Sequence, residues 1–239
     1  MHALIVAAGY GSRLRSVSRC KPLTPVAGMP LIDRVILSAR AGGATGFTVV
    51  TGHKGALLER HLARAAAGWS FPVGCVRTPD WSRPNGLSVL TGAARIGPDR
   101  HLLLMADHLF DPVLVERVIA APPAPLTLAI DRRIDRAEVD LDDVTRVRTN
   151  GTRICAIGKH LEPYDAFDCG VFAVDGRFHA ALIASLAGGG TGSISEGVTV
   201  LAEQGGAAAV DVGDAWWHDV DDAPALAHAE AVLASRLAA

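Results

Sequence analysis

Two rhythms of hydrophobic and polar positions alternate along the first 130 residues. Short apolar runs at Ala3 to Ala7, Phe47 to Thr51, Val73 to Arg77, His101 to Asp107 and Leu126 to Ile130 lack the alternating polar face of a half-exposed strand. Runs of this kind suit strands covered on both sides. Between them, apolar residues recur at helical spacing. From Pro30 onward, Leu31, Val35, Ile36 and Ala39 share one helical face, and Gly42-Gly43 forms a stop signal. Gly55 to Ala66, about Leu87 to Arg95, and Val113 to Ala120 read as further helices. Strands alternating with helices predict an α/β fold whose mostly parallel sheet carries helices on both faces.

After Asp131 the rhythm changes. Val144 to Arg148 and Arg153 to Gly158, separated by Thr149-Asn150-Gly151-Thr152, predict a small β-hairpin insertion turning at Asn-Gly. A strand at Cys169 to Val174 and helices at 176–186 and about 193–203 follow, with Gly188 to Gly192 as a flexible loop between them. The chain closes with a strand at Ala208 to Val212, the segment WWHDVDD, and an Ala-rich helix from Pro224. No repeat or linker interrupts it, so residues 1–239 read as a single domain.

Composition narrows the function. With 23 basic against 25 acidic residues the net charge is −2, which supplies no field for a polyanion such as DNA. No run approaches the roughly 18 apolar residues of a membrane span. The run from Ala3 to Ala8 is too short, and too soon followed by Arg13 and Arg15, for a signal peptide. We therefore expect a soluble cytoplasmic protein without nucleic-acid or membrane partners. Cys20, Cys75, Cys155 and Cys169 form no CxxC pair, so four reduced cysteines packing as small hydrophobes are expected. Of the 23 basic residues only Lys21, Lys54 and Lys159 are lysines, which draws attention to sites needing a compact point charge.

Ligands of open parallel sheets bind outside the carboxyl ends of the strands. Four segments with chemical potential fall at such ends. Ala8-Gly9-Tyr10-Gly11-Ser12-Arg13 offers backbone N–H groups and a guanidinium to phosphate oxygens, without GxGxxG or P-loop spacing. Asn85-Gly86-Leu87-Ser88 follows the third strand; it is either a base-reading segment or an ordinary Asn-Gly turn. Asp107 ends an apolar strand, where a carboxylate needs a partner or a metal unless it caps the next helix. Asp219 and Asp221 flank Val220 and share one face if the segment is extended, while Asp222 suits a helix cap before Ala223-Pro224. Trp216 and Trp217 would then point in opposite directions, as core and rim. Lys54 reads as a solvated residue at a helix start, although the family likeness described next places the Gly52-His53-Lys54 turn near the base or ribose; Arg132-Arg133 reads as either an anion contact or a solvated pair, and His108 as a neighbour of Asp107.

These motifs resemble the nucleotidyltransferase family, whose pattern of an apolar strand, AxGxGxRL, a loop and PKxL matches Ala7 to Leu14 and Lys21-Pro22-Leu23. Cys20 stands where that pattern has proline. The likeness continues through GMPLIDRVI and VVTGHK. DWSRPNGLSVL, MADHLFDP, AIDRR followed by DLDDVTRV, IGKHLEPYDAFDCGVF, SISEGV and DVGDAWWHDVDD resemble in particular the inositol-1-phosphate and phosphonate cytidylyltransferases. The resemblance implies a Rossmann-like fold of the nucleotide-diphospho-sugar transferase type. It also implies a Mg2+-dependent transfer of CMP from CTP to a small phosphate or phosphonate acceptor, with release of pyrophosphate. It assigns Arg13, Lys21 and Lys159 as catalytic cations. Ala8, Gly9, Gly11, Ser12, Arg13, Lys21, Asn85, Gly86 and Ser88 are assigned to the nucleotide. His108, Arg132, Lys159, Asp168 and Glu196 are assigned to the acceptor, and Asp107, Asp219 and Asp221 to the metal. An acceptor phosphate is already anionic near neutral pH, so the reaction calls for cationic screening and alignment rather than a general base. Enzymes of this branch are often fused to a membrane-embedded alcohol phosphotransferase, so the chain can also be one domain of a longer polypeptide. Two alternatives stay open: a sugar-1-phosphate nucleotidyltransferase using UTP, dTTP or GTP, and a catalytically silent nucleotide-sensing module.

Overall fold

In the computed structural model, which describes residues 1–15, 17–136 and 139–238, the elements run as follows. The first half comprises β1 (His2–Ala7), 3-10 turns at Ser12–Leu14 and Lys21–Leu23, β2 (Pro25–Val26), β3 (Met29–Pro30), α1 (Leu31–Ala41), β4 (Gly46–Thr51), α2 (Gly55–Ala66), β5 (Val73–Arg77), α3 (Asn85–Ile96), β6 (His101–Met105), β7 (His108–Phe110) and α4 (Pro112–Ala120). The second comprises β8 (Leu126–Asp131), β9 (Arg146–Asn150), β10 (Arg153–Gly158), β11 (Ala166–Val174), α5 (Gly176–Ala187), α6 (Ile194–Glu203), β12 (Ala207–Asp211), β13 (Trp217–Asp219) and α7 (Ala223–Ala238).

Nine strands form one sheet in the order β5-β4-β1-β6-β11-β8-β12-β10-β9. The first four run parallel, as the alternation predicts. The fifth predicted strand does not join them directly: β11 inserts antiparallel between β6 and β8, and β12 then lies parallel to β8. The sheet is therefore mixed, with a parallel half that carries the glycine loop. Side chains alternate between its faces. Ala3, Ile5, Leu102 and Leu104 pack with α1, α2 and α4, while Leu4, Leu103, Leu128 and Phe172 pack with α3, α5 and α6. Covering helices on both sides explain the apolar runs of β1, β4, β6 and β8, whereas β5, read as covered on both sides, is an edge strand with none of its five residues buried.

Three boundaries shift. The predicted strand from 101 to 107 divides into β6 and β7, because His108 to Phe110 leaves the sheet to pair antiparallel with β13. The hairpin's first strand is Arg146–Asn150 rather than Val144 to Arg148, and Arg153 faces Asn150 across a two-residue turn whose Gly151 has φ +63°. β11 begins at Ala166 and bulges against β8 between Asp168 and Phe172, so Asp168 lies inside a strand. All four cysteines are free; Cys20 and Cys169 pack inside, whereas Cys75 is exposed and Cys155 half-buried. No described helix is long and apolar enough to cross a membrane.

At the amino-terminal end of the sheet, two histidines face each other without solvent. His101 and His179 are 2% and 8% exposed. Their ring centroids lie 5.1 Å apart. The Nδ1–H of His101 donates to the Asp99 carbonyl at 2.8 Å, while both Nε2 atoms lack partners. Burial disfavours the charged ring, and with His101 nearby it brings the His179 pKa down to about 4 against the opposing Asp175. An unfolded histidine takes up its proton near pH 6.5. Stability should therefore fall as pH drops from about 6.5 towards 4, by about 3 kcal/mol at most. Urea unfolding at pH 7.5 and pH 5 should show a smaller loss for His179→Phe than for the parent. Equal losses would mean that the pair does not carry this dependence.

Candidate active site

The site assembles where β1 and β6 end side by side. After β1 the chain turns through Gly11, whose φ of +62° and whose contact with Lys21 both exclude a side chain: a Cβ there would lie 2.5 Å from the Lys21 Cβ. The glycine thus seats Lys21 beneath the loop. After β6, Asp107 follows a single intervening alanine, and its carbonyl accepts the Val220 N–H at 3.0 Å. The ribbon of β7 and β13 sets Asp219 directly opposite His108. Asp107 caps no helix; α4 begins after Asp111.

Carboxylates and cations interlock here. Lys21 Nζ donates to Asp107 Oδ2 at 2.6 Å and also to Asp221 Oδ1. Arg13 Nη2 donates to Asp221 at 2.7 Å and to Asp143 at 2.6 Å, and Lys159 also donates to Asp143. His108 Nδ1 lies 3.0 Å from Asp107 Oδ1 and 3.7 Å from Asp219 Oδ1. Charges follow from these contacts. Burial opposes the Lys21 ammonium, but Asp107, Asp221 and Asp219 outweigh it and raise its pKa. Burial likewise opposes the His108 cation, yet Asp219, Asp107 and Asp168 bring it up to about 10. Asp107 is held well below the usual carboxylate range, since Lys21 and His108 overcome its burial. Asp219 moves the other way: burial, with Asp107 and Asp221 adding to it against His108, pushes it up.

These residues fit a hard divalent cation. Asp143, Asp219 and Asp221 each bring one carboxylate oxygen to within 4.8 Å of the others, and Asp107 comes as close to Asp219 beside His108, whose protonated ring offers no lone pair to a metal. The Asp219 Oδ1 is shielded from solvent and accepts no hydrogen bond. A shielded carboxylate oxygen left unpaired among further carboxylates is costly unless a cation completes it.

Two cavities meet at this cluster. One, of about 230 Å³, is lined by Gly9, Gly11, Ser12, Lys21 and Pro22; the other, of about 550 Å³, is lined by His108, Lys159, Asp168, Asp143 and Trp217 among others. Arg13, Asp107 and Asp221 line both. Asp168 is pushed up to about 6 by burial, against the Gly170 N–H and His108. The Gly170 N–H donates to its Oδ1 at 2.7 Å, and a side chain on Gly170 would run into the His108 ring.

Several predicted contacts serve the fold instead. Arg132 lies outside both cavities, pairs with Asp165 at 2.6 Å and donates to Thr149 and Gly151. Glu196 is the N3 residue of a capping box with Ser193 and also holds Thr191, Gly192 and Ser185. It thereby ties down the loop read as flexible. Gly86 packs against the Gly192 carbonyl, and Ser88 is buried on α3. Asn85 starts α3 rather than a turn and accepts the Ile194 N–H at 2.9 Å, although it reaches the larger cavity. Ala8 is buried and its carbonyl accepts the His53 N–H. Asp222 does cap, accepting the Ala225 N–H at 2.8 Å. Trp217 points inward and Trp216 away, where Arg236 covers it.

Asp143 is the residue that sequence reading missed. It links Arg13 to Lys159, yet its segment, DLDDVTRV, resembles the cytidylyltransferases only as a whole, and nothing in its run of acids singles out Asp143.

Comparison with known proteins agrees with this architecture. Residues 3–135 match the MobA-like NTP transferase domain. A bifunctional IPC transferase and DIPP synthase of Rubrobacter xylanophilus is 38% identical over 221 residues, 92% of this chain and 49% of that protein. A CMP-5'-(3-aminopropyl)phosphonate synthase of Streptomyces rubellomurinus is 34% identical over 134 residues, 54% of this chain and 20% of its own length. The chain thus spans half or less of these curated relatives. The structure of the inositol-1-phosphate CTP transferase from T. maritima superposes with a TM-score of 0.84 at 22% identity, over 94% of this chain and 90% of that one.

Proposed function

Since the chain belongs to the MobA-like NTP transferase family, we propose that it moves CMP from CTP to a phosphate or phosphonate oxygen of a small acceptor and releases pyrophosphate. The observation that carries the reading is the meeting of two cavities at Arg13, Asp107 and Asp221. One cavity is walled by a glycine loop and Lys21, as a triphosphate requires. The other holds Lys159, His108 and Asp168, cations for an acceptor anion and a carboxylate for its hydroxyl or amino groups. All of residues 1–239 serve as one catalytic unit in this reading, because one sheet carries both walls. CTP and the inositol-1-phosphate-type or aminoalkylphosphonate-type acceptor are suggested by the similar proteins, and a hydroxyalkylphosphonate-type acceptor by the resemblance of the sequence to phosphonate cytidylyltransferases.

The chemistry asked of the residues is screening and alignment. An acceptor oxygen attacks the α-phosphorus, the bond to the bridging oxygen breaks, and that oxygen leaves with pyrophosphate; no proton need be removed from an acceptor already anionic. Arg13 and Lys21, now paired with carboxylates, would exchange them for phosphate oxygens. Lys159 would do the same for the acceptor. Asp107, Asp219 and Asp221 would hold Mg2+, with Asp143 at its edge; when bound, Mg2+ neutralises charge on the phosphates.

The test is pyrophosphate release with product mass, for CTP, UTP, dTTP, GTP and ATP against inositol-1-phosphate, 2-hydroxyethylphosphonate, 2-aminoethylphosphonate, phosphocholine and glucose-1-phosphate. We expect turnover in the CTP row alone, with one CMP-linked product. Turnover only of glucose-1-phosphate with another nucleotide would replace cytidylyl transfer by sugar nucleotidyl transfer. Binding without turnover would favour a sensing module.

A further inference from the structure

The sheet that carries the site is unfinished at one end. At the other end β9 turns back to pair with β11, whereas β5 pairs with β4 alone, and no described strand covers its outer side. The ladder decides which backbone groups lie open. The Phe47 N–H donates to the Pro72 carbonyl and the Thr78 N–H to the Thr51 carbonyl, each at 2.9 Å. Alternate residues of a parallel strand turn their backbone groups towards the same neighbour, so Pro72, Gly74, Val76 and Thr78 serve β4. Val73, Cys75 and Arg77 therefore direct their N–H and C=O groups away from the sheet.

Little protects this edge. Edge strands are ordinarily blunted by bulges, by lysines, by inward-pointing charges or by proline in place of an outward N–H. Here the register with β4 runs unbroken from Val73 to Arg77, the proline stands at position 72, whose backbone turns inward, and Gly74 and Cys75 are exposed. Arg77, the strand's only charged residue, is neutralised by Glu59 of α2, whose carboxylate accepts from it at 2.6 Å. Leu62, Ala63, Val73 and Cys75 line, with that pair, an open groove of about 620 Å³ along β5 and α2.

We propose that β5 is the seam of a homodimer, in which a second copy of this chain pairs with it antiparallel about a two-fold axis through Cys75. The open groups set the register. With Cys75 opposite its own copy, the two Cys75 residues exchange both hydrogen bonds, and Val73 of each chain does the same with Arg77 of the other. Every outward N–H and C=O of the strand is then satisfied. A two-fold contact of this kind needs no second protein, because each molecule carries the complement of its own edge. Like charges do not meet across it, since Arg77 lies opposite Val73 and keeps Glu59 beside it. The carboxyl ends of the strands point in opposite directions in the two copies, so each site stays whole and open. This pairing holds whatever reaction the site performs.

The test is sedimentation of the whole chain over a range of concentrations, with amide hydrogen exchange read across β5. We expect a concentration-dependent dimer whose β5 amides exchange more slowly than those of the diluted protein. Cys75→Pro removes an N–H that faces away from its own sheet, so the chain keeps its internal hydrogen bonds while the central pair is lost; dimerisation should weaken about thirtyfold or more. Cys75→Ser keeps the N–H and should dimerise as the parent does. Val73→Lys sets a cation opposite Arg77 of the other copy, whereas Val73→Glu, which gives up the same apolar packing, sets an anion there, so the Glu variant should associate more tightly than the Lys variant. A parent that stays monomeric at its highest soluble concentration would overturn the proposal. So would a dimer that Cys75→Pro leaves intact, or one in which the two Val73 variants associate equally, since the copies would then meet through another surface.

Discussion

Asp107→Ala should lower turnover on the order of a thousandfold, the scale of removing one electrostatic element aimed at the reacting phosphates, while the protein remains folded. The expectation follows from where the carboxylate sits. It lines both cavities, accepts from Lys21 at 2.6 Å, and brings a carboxylate oxygen within 4.8 Å of one from Asp219. Its loss would remove a cation ligand and leave Lys21 bonded to Asp221 alone. Stability should fall without loss of the fold: Asp107 is held below the usual carboxylate range by Lys21 and His108, so deleting it takes a partner from both buried cations, while Asp221 and Asp219 leave each of them one. The check is pyrophosphate release at saturating substrates beside a urea unfolding curve. A folded variant within tenfold of the parent rate would remove Asp107 from the reaction.

Asp107 was legible in the sequence because a carboxylate at the end of an apolar strand is costly unless a partner or a metal meets it. The glycine loop and the Asp219–Asp221 pair stood out by residue type at strand ends, whereas Arg13 and Lys21 took their assignments from the likeness to AxGxGxRL and PKxL. Strand and helix order could be read because helices cover both faces of the sheet and leave long apolar runs. What escaped depends on partners far along the chain. The division of β6 from β7 is set by β13, more than a hundred residues later, and local pattern does not announce it. Asp143 meets Arg13 across 130 positions. Arg132 and Glu196 were drawn to the acceptor by likeness, whereas Asp165 and the loop before α6 claim them. For Glu196 a signal existed: Ser193-x-x-Glu196 is the spacing of a capping box. Asn85 shows the converse, since neither reading of its segment foresaw a side chain that ties α3 to α6.

The support beneath the acidic segment escaped as well, and it carries the largest expected effect on stability. Asp131 ends β8 with a side chain 0% exposed. It accepts from the backbone and guanidinium of Arg133, from Arg136 Nη1 at 2.9 Å, and from the Trp217 indole at 2.8 Å. Arg133 in turn donates to the Ala215 carbonyl. One carboxylate therefore fastens β13, which presents Asp219, to the central sheet. Asp131→Ala would leave two guanidinium groups and an indole N–H without this acceptor, at a cost of about 3–5 kcal/mol. Asp131→Asn keeps an acceptor for Trp217 but loses the charge, and should fall between the parent and the alanine variant. The sign with pH follows from the shift. Burial alone would raise the Asp131 pKa, but the bonds from Arg133, Trp217 and Arg136 lower it. The contribution is thus complete above the unfolded carboxylate range near 4 and fades as pH falls below it. Unfolding curves should show the gap between parent and Asp131→Asn wide at pH 7 and narrower at pH 3. A variant that unfolds at the parent's urea concentration at pH 7 would show that β13 is held by its pairing with β7 and by apolar packing, without need of the buried charge.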